Sequence, residues 1–259
     1  MSTAPPDTGG GTAEVKEQKQ CTILVTGFAP FQDKFPVNPS FEIAKRLPQL
    51  LPVTKKHTTP VRLIVHPEAI PVRYKDVYDL VPALLNSYAE TIDFVVHIGM
   101  ASGREWYALE CQAHRDGYKN PDVDGNRLPT AHGSTEFGDC SEILTTSTAY
   151  DQIMAAWRKN AEAQTAFGDL DVRSSDDPGH YLCDYIYFNS LAWFARKHAS
   201  SEHANGKKRP ALFLHVPADS DDESLKKGIV VTEALLRAIA ESLDPVRETD
   251  DRTAESGTG

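Results

Sequence analysis

Short runs of uninterrupted apolar residues constrain this chain more than anything else in it: CTILVT at 21–26, DFVVHIGM at 93–100 and ALFLHV at Ala211–Val216. A strand with one face in water alternates apolar and polar residues, so a run without alternation belongs to a strand covered on both faces. Between the runs lie segments of a different period. Residues 74–88 place Val77, Leu80, Val81, Leu84 and Leu85 at helical spacing, and residues 221–243 do the same with Leu225, Ile229, Val230, Ala234 and Ile239. Helices alternating with buried strands imply a three-layer α/β/α arrangement around a central mixed, largely parallel sheet.

The remaining elements fit that scheme. Residues 61–65 and 107–112 read as strands, and 150–165 and 179–198 as helices. A further helix opens at Asn38-Pro39-Ser40-Phe41 and runs to about Leu47, with Asn38 or Ser40 as cap and Pro39 in the first turn. Pro82 falls inside the 74–88 pattern, where it can bend a helix. Residues 119–148 are polar and rich in turn formers, and read as a long excursion from the core. The segments 1–20 and 244–259 lack any apolar period, so they read as a disordered arm and an acidic tail flanking one catalytic domain at 21–243.

Charge and hydropathy narrow the setting. A formal charge of -10 disfavours nucleic acid and anionic membrane surfaces, which bind through clustered Lys and Arg. No stretch approaches the roughly 18 apolar residues of a membrane span, and the first 20 residues lack the apolar centre of a signal peptide. A cytoplasmic protein is expected. Its oligomeric state is not written in these patterns. Cys21, Cys111, Cys140 and Cys183 are too far apart for a C-x-x-C metal or redox motif, which leaves four free thiols.

Three polar residues interrupt apolar surroundings at the places where α/β sheets collect function. Glu110 lies within YALECQ, Cys183 within GHYLCDY at a helix start, and His215 near the end of ALFLHV. Cysteine, histidine and a carboxylate are the parts of thiol-based acyl transfer. A thiol is mostly protonated at neutral pH, and a nucleophilic one needs an imidazole, a helix N-terminus or both to hold it as thiolate. The imidazole in turn needs an acceptor to fix its tautomer. Spacing alone does not single out this triplet, because nine histidines and four cysteines allow many others.

Local context does single it out. ILVTGFAPFQDKFPVNPS at 23–40 resembles the opening signature of the pyroglutamyl peptidase I, or pyrrolidone-carboxylate peptidase, family, in which a strand leads into G-F-x-P-F and then N-P-S. HIGMASGREWYALE, PGHYLCDYIYFNSL and FLHVP resemble, in order, that family's buried strand and glutamate strand, its nucleophile segment and its histidine strand. The resemblance implies Cys183 as nucleophile, His215 as general base and then acid, and Glu110 as the group that orients the imidazole. It implies removal of an N-terminal pyroglutamyl residue from peptides through an acyl-enzyme, with no metal or organic cofactor. No metal-ligand cluster is apparent along the chain. Phe28 and Phe31 would flank the lactam ring, Asn38 would order their loop, and Met100 is a further pocket candidate. The backbone N–H of Cys183 would be the first oxyanion donor.

Departures from the family pattern touch the pocket. Pro178-Gly179-His180 stands where the family usually has Ala-Gly, and Asp33-Lys34-Phe35 where it has a glycine-containing loop. Two other readings follow: a family-like protein with altered catalysis that binds peptides, and a nucleoside-processing enzyme on a similar α/β architecture. The second would need a glycine-rich phosphate loop or a basic cluster, and neither is present in the sequence.

Overall fold

Backbone pairing turns the apolar runs into one sheet. The computed structural model describes residues 20–31, 34–146, 149–199 and 209–243, so the expected arm and tail, apart from Gln20, lie outside the described residues, as does Asp33. In chain order the elements are β1 (Cys21–Gly27), α1 (Pro39–Ala44), β2 (Leu50–Leu51), β3 (Val61–Val65), α2 (Tyr74–Tyr88), β4 (Phe94–Met100), β5 (Tyr107–Glu110) and β6 (Gln112–His114). They continue with α3 (His132–Glu136), β7 (Ile143–Thr145), α4 (Tyr150–Glu162), β8 (Val172–Ser175), α5 (Leu182–Ala199), β9 (Ala211–Val216) and α6 (Asp222–Ser242).

Seven strands form the main sheet in the order β2-β3-β1-β4-β9-β5-β8. The centre is parallel, with β1 paired to β3 and β4 and β4 paired to β9. Orientation reverses between β9 and β5, and again between β3 and the short β2. Every residue of β1, β4 and β9 is buried, as uninterrupted apolar runs require. One face packs under α1, α4 and α6, where the Trp157 ring is fully buried and its indole N–H donates to the Val231 carbonyl at 3.0 Å. The other packs under α2 and α5, around Tyr185, Tyr187, Phe188 and Phe213. The architecture is therefore α/β with a mixed, mostly parallel sheet between helices.

Several boundaries differ from the sequence pattern for local reasons. After Ala44 the first helix tightens, with Arg46 N–H bonded to the Ile43 carbonyl and Leu47 N–H to that of Ala44. Pro82 lies within α2 without ending it. The strand expected at 107–112 divides at Cys111: β5 stays in the main sheet while β6 pairs with β7 in a separate two-stranded sheet. Helix α5 begins at Leu182 rather than Gly179, because Gly179 (φ 95°) and His180 (φ 44°) are left-handed. The described part of 119–148 is no excursion. It folds back on α5 through Phe137 against Phe188, with ring centroids 5.3 Å apart, and through Arg196 bonded to Asp139. Strand β8 (VRSS) escaped notice because an edge strand with exposed Arg173 and Ser174 has no apolar signature. Among the described residues no helix is long and apolar enough to cross a membrane.

A polar chain crosses the apolar sheet. His97 on β4 is 1% exposed, and its ring nitrogens meet Thr26 Oγ1 and Ser190 Oγ, each at 2.7 Å. Burial pushes its pKa down to about 3, so the folded chain keeps the ring neutral where the unfolded chain takes up a proton. The unfolded state binds more protons below about pH 6.5, so this residue's contribution to stability shrinks as pH falls through that range. Urea denaturation should show the destabilisation caused by His97→Gln at neutral pH shrinking by about 2 kcal/mol at about pH 5, and a pH-independent difference would refute the assignment.

Candidate active site

Strand register gathers the candidate residues on the α5 side of the sheet. His215 pairs with Gly99 across the parallel β4/β9 contact and with Ala108 across the antiparallel β5/β9 contact, and Glu110 pairs with Phe213. Paired residues share a face, so Gly99, Glu110, Phe213 and His215 all point toward α5. Glu110 is fully buried, and its Oε1 lies 2.7 Å from His215 Nδ1. With Nδ1–H donating to the carboxylate, Nε2 is left as the acceptor nitrogen. Phe213 lies against the same imidazole, with ring centroids 4.7 Å apart.

Burial raises the pKa of Glu110, but the hydrogen bond and charge of His215, with smaller help from Ser175 and Arg104, outweigh it and hold the carboxyl below its usual range. Oε2 is buried without a hydrogen-bond partner among the described residues. Arg104 went unnoticed in the sequence although it lies only six residues before Glu110. Its Nη1 donates to Glu110 Oε1 at 2.7 Å and its Nη2 to the Asp177 carbonyl at 2.7 Å. One guanidinium thus ties the carboxylate to the turn that leads into α5.

Cys183 is the second residue of α5, where backbone N–H groups have no intrahelical partner. Its sulfur lies over Gly99: a Cβ built there would stand 2.9 Å from Sγ and 2.5 Å from Phe213 Cζ. The sulfur therefore occupies space that a side chain beside His215 would fill. Among the described residues no hydrogen bond joins Sγ to the ring, and the residue is partly exposed. Desolvation first, and then the Glu110 and Asp184 carboxylates, push the Cys183 thiol up to about 12.

The loop after β1 is ordered as its sequence suggested. Asn38 caps α1, its Oδ1 accepting from Ser40 N at 3.1 Å and Ser40 Oγ at 2.8 Å, while its Nδ2 donates to the Ala29 carbonyl at 2.9 Å. Phe28 is buried 6.5 Å, centroid to centroid, from Phe213. Phe31 is partly exposed against Tyr181, two residues before Cys183, at 6.3 Å. Met100 is not brought into this group. Alternation along β4 aims it, with its pair Val216, at the opposite face of the sheet from Gly99 and His215.

A second polar group adjoins the first. His114 Nδ1 lies 2.8 Å and His180 Nδ1 3.6 Å from Oδ2 of the fully buried Asp184. Three potential metal ligands are thus gathered where the sequence showed no cluster. They come from β6 and from the turn and first residues of α5, and only the four-residue step from His180 to Asp184 hinted at the grouping.

Residues 21–231 match the family model described as pyroglutamyl peptidase. Pyroglutamyl-peptidase 1 of Rattus norvegicus is 30% identical over 203 residues, which cover 78% of this chain and 81% of that protein. A mutant pyrrolidone carboxyl peptidase from Pyrococcus furiosus superimposes with a TM-score of 0.64 at 20% identity, covering 86% of this chain and 100% of that one. The pyrrolidone carboxyl peptidase of Thermus thermophilus gives 0.57 at 26% identity, covering 85% and 100%. With most of its length matched in sequence and its sheet and helices matched in space, the chain belongs to the pyroglutamyl peptidase family.

Proposed function

We propose that this chain is a cysteine exopeptidase that hydrolyses the bond following an N-terminal pyroglutamyl residue, with Cys183 as nucleophile, His215 as base and then acid, and Glu110 as the group that orients the ring. The observation that carries the reading is the juxtaposition of Cys183 Sγ, over Gly99, with a His215 whose far nitrogen is held by a buried carboxylate. The thiol proton passes to His215 Nε2 as sulfur attacks the scissile carbonyl carbon. Glu110 stabilises the imidazolium so formed. His215 then gives the proton to the leaving amine as the C–N bond breaks. Water attacks the thioester, returns a proton through His215 to sulfur and releases 5-oxoproline. The free N–H groups at the start of α5, that of Cys183 first, are placed to take up the negative charge on the carbonyl oxygen.

Phe28 and Phe31 supply the apolar walls that an uncharged lactam needs, with Asn38 holding their loop. A free nucleophilic thiol also requires a reducing compartment, which favours the cytoplasm.

Incubation with a pyroglutamyl fluorogenic amide under reducing conditions should release the fluorophore, and Cys183→Ala should abolish release. Silence from folded wild-type protein would overturn the reading in favour of a peptide-binding role. Glu110→Gln should lower kcat by roughly 10²- to 10⁴-fold with KM little changed, because it removes the charge that stabilises the imidazolium. Gly99→Ala places a methyl against the sulfur, and a displacement of about 1 Å should cost about 10²-fold in kcat in a chain that circular dichroism shows to be folded. Full activity in that variant would show that the sulfur is not seated over Gly99.

A further inference from the structure

We propose that His114, His180 and Asp184 form a binding site for one divalent transition cation of the zinc type, held by two imidazole Nδ1 atoms and one carboxylate oxygen, with a fourth position open to solvent. The three ligand atoms lie within 4.8 Å of one another. Tetrahedral zinc with ligand bonds of 2.0–2.1 Å separates its ligand atoms by about 3.3 Å. The observed 2.8 Å and 3.6 Å to Asp184 Oδ2 lie on either side of that figure. Modest side-chain rotation closes the cage.

The surroundings are built rather than incidental. Asp184 is fully buried, and its second oxygen, Oδ1, accepts the His114 backbone N–H at 2.7 Å, so the carboxylate is fixed from behind. His180 is the one described non-glycine residue with positive φ, at 44°, a conformation that places its ring against His114 with centroids 4.3 Å apart. Room for that ring exists because residue 117 is glycine: a Cβ there would stand 2.8 Å from His180 Nδ1. His114 Nδ1–H donates to Asp184, and His180 Nδ1 lies 3.2 Å from the Asp116 carbonyl as its donor. On binding, each ring proton moves to Nε2 and the cation takes its place. The His114 side chain is 17% exposed and that of His180 44%, which gives the ion a path in. Two nitrogens and one oxygen suit zinc, copper or nickel, whereas calcium and magnesium prefer an all-oxygen shell.

The proposed ligands do not include the thiol, although Asp184 follows Cys183 directly and its carboxylate acts on that sulfur. Occupancy would join β6 to the turn and first residues of α5. Binding is best read in the full-length, reduced chain carrying Cys183→Ser, which removes the neighbouring sulfur. Calorimetric titration with zinc chloride should give one site per chain, and zinc should raise Tm by mass action. His180→Asn tolerates a left-handed backbone but lacks the imidazole, and His114→Gln removes the other ring. Each should weaken binding by at least about tenfold. Cobalt(II) bound to the Cys183→Ser protein should show ligand-field bands without sulfur-to-metal charge transfer. An absence of stoichiometric binding, a sulfur charge-transfer band, or affinity unchanged in either folded variant would overturn the proposal. None of these readouts depends on peptidase turnover.

Discussion

A carboxylate without solvent exposure inside a sheet has to be paired, and the pairing of Glu110 is what the centre of this molecule turns on. Removing one partner of a buried charged pair typically costs about 3–5 kcal/mol, because the other charge is left without compensation. Here the partners are His215, one strand away, and Arg104 at the end of the preceding loop. The His215 contact depends on the reversal of direction between β9 and β5, which brings Glu110 level with Phe213 and within reach of the ring two residues further along. The same network extends through the second guanidinium nitrogen to Asp177, and so to the turn before Cys183. Sheet topology, charge compensation and the position of the sulfur are therefore one arrangement.

The parts that could be read from the sequence are those whose signal is local. Strands β1, β4 and β9 carry uninterrupted apolar runs, and α2 carries a clean helical period bounded by Tyr74 and Tyr88. Strand β8 has neither signal, because an edge strand owes its pairing to β5 and not to its own composition. The start of α5 is not legible in the sequence because the left-handed turn at 179–180 is held by the neighbouring Asp177, itself bonded to Arg104, and by the distant Asp116 carbonyl.

Histidine shows the same limit at the level of the site. His97 and His215 each sit in a buried apolar strand, and neither strand reveals which ring is merely satisfied. The difference lies in partners from elsewhere. His97 is closed at both nitrogens by the hydroxyls of Thr26 and Ser190, while His215 is held at one nitrogen by Glu110 and is paired across the sheet with Gly99, over which the sulfur lies. Motif resemblance singles out His215, while its Glu110 partner comes from the fold. The resemblance carries no sign of the desolvation and the two carboxylates that push the Cys183 thiol up.

The outer strands of the sheet carry a consequence of their own. β2 is two residues long and β8 four, and beside β8 the Arg173 guanidinium is clamped by Asp171 at 2.5 Å and covers the Trp106 ring at 4.1 Å. Short margins with a charged cover offer little open backbone for a foreign strand to extend. A chain that approaches either margin finds only a short length of pairable backbone, so growth by strand addition is discouraged from the first contact.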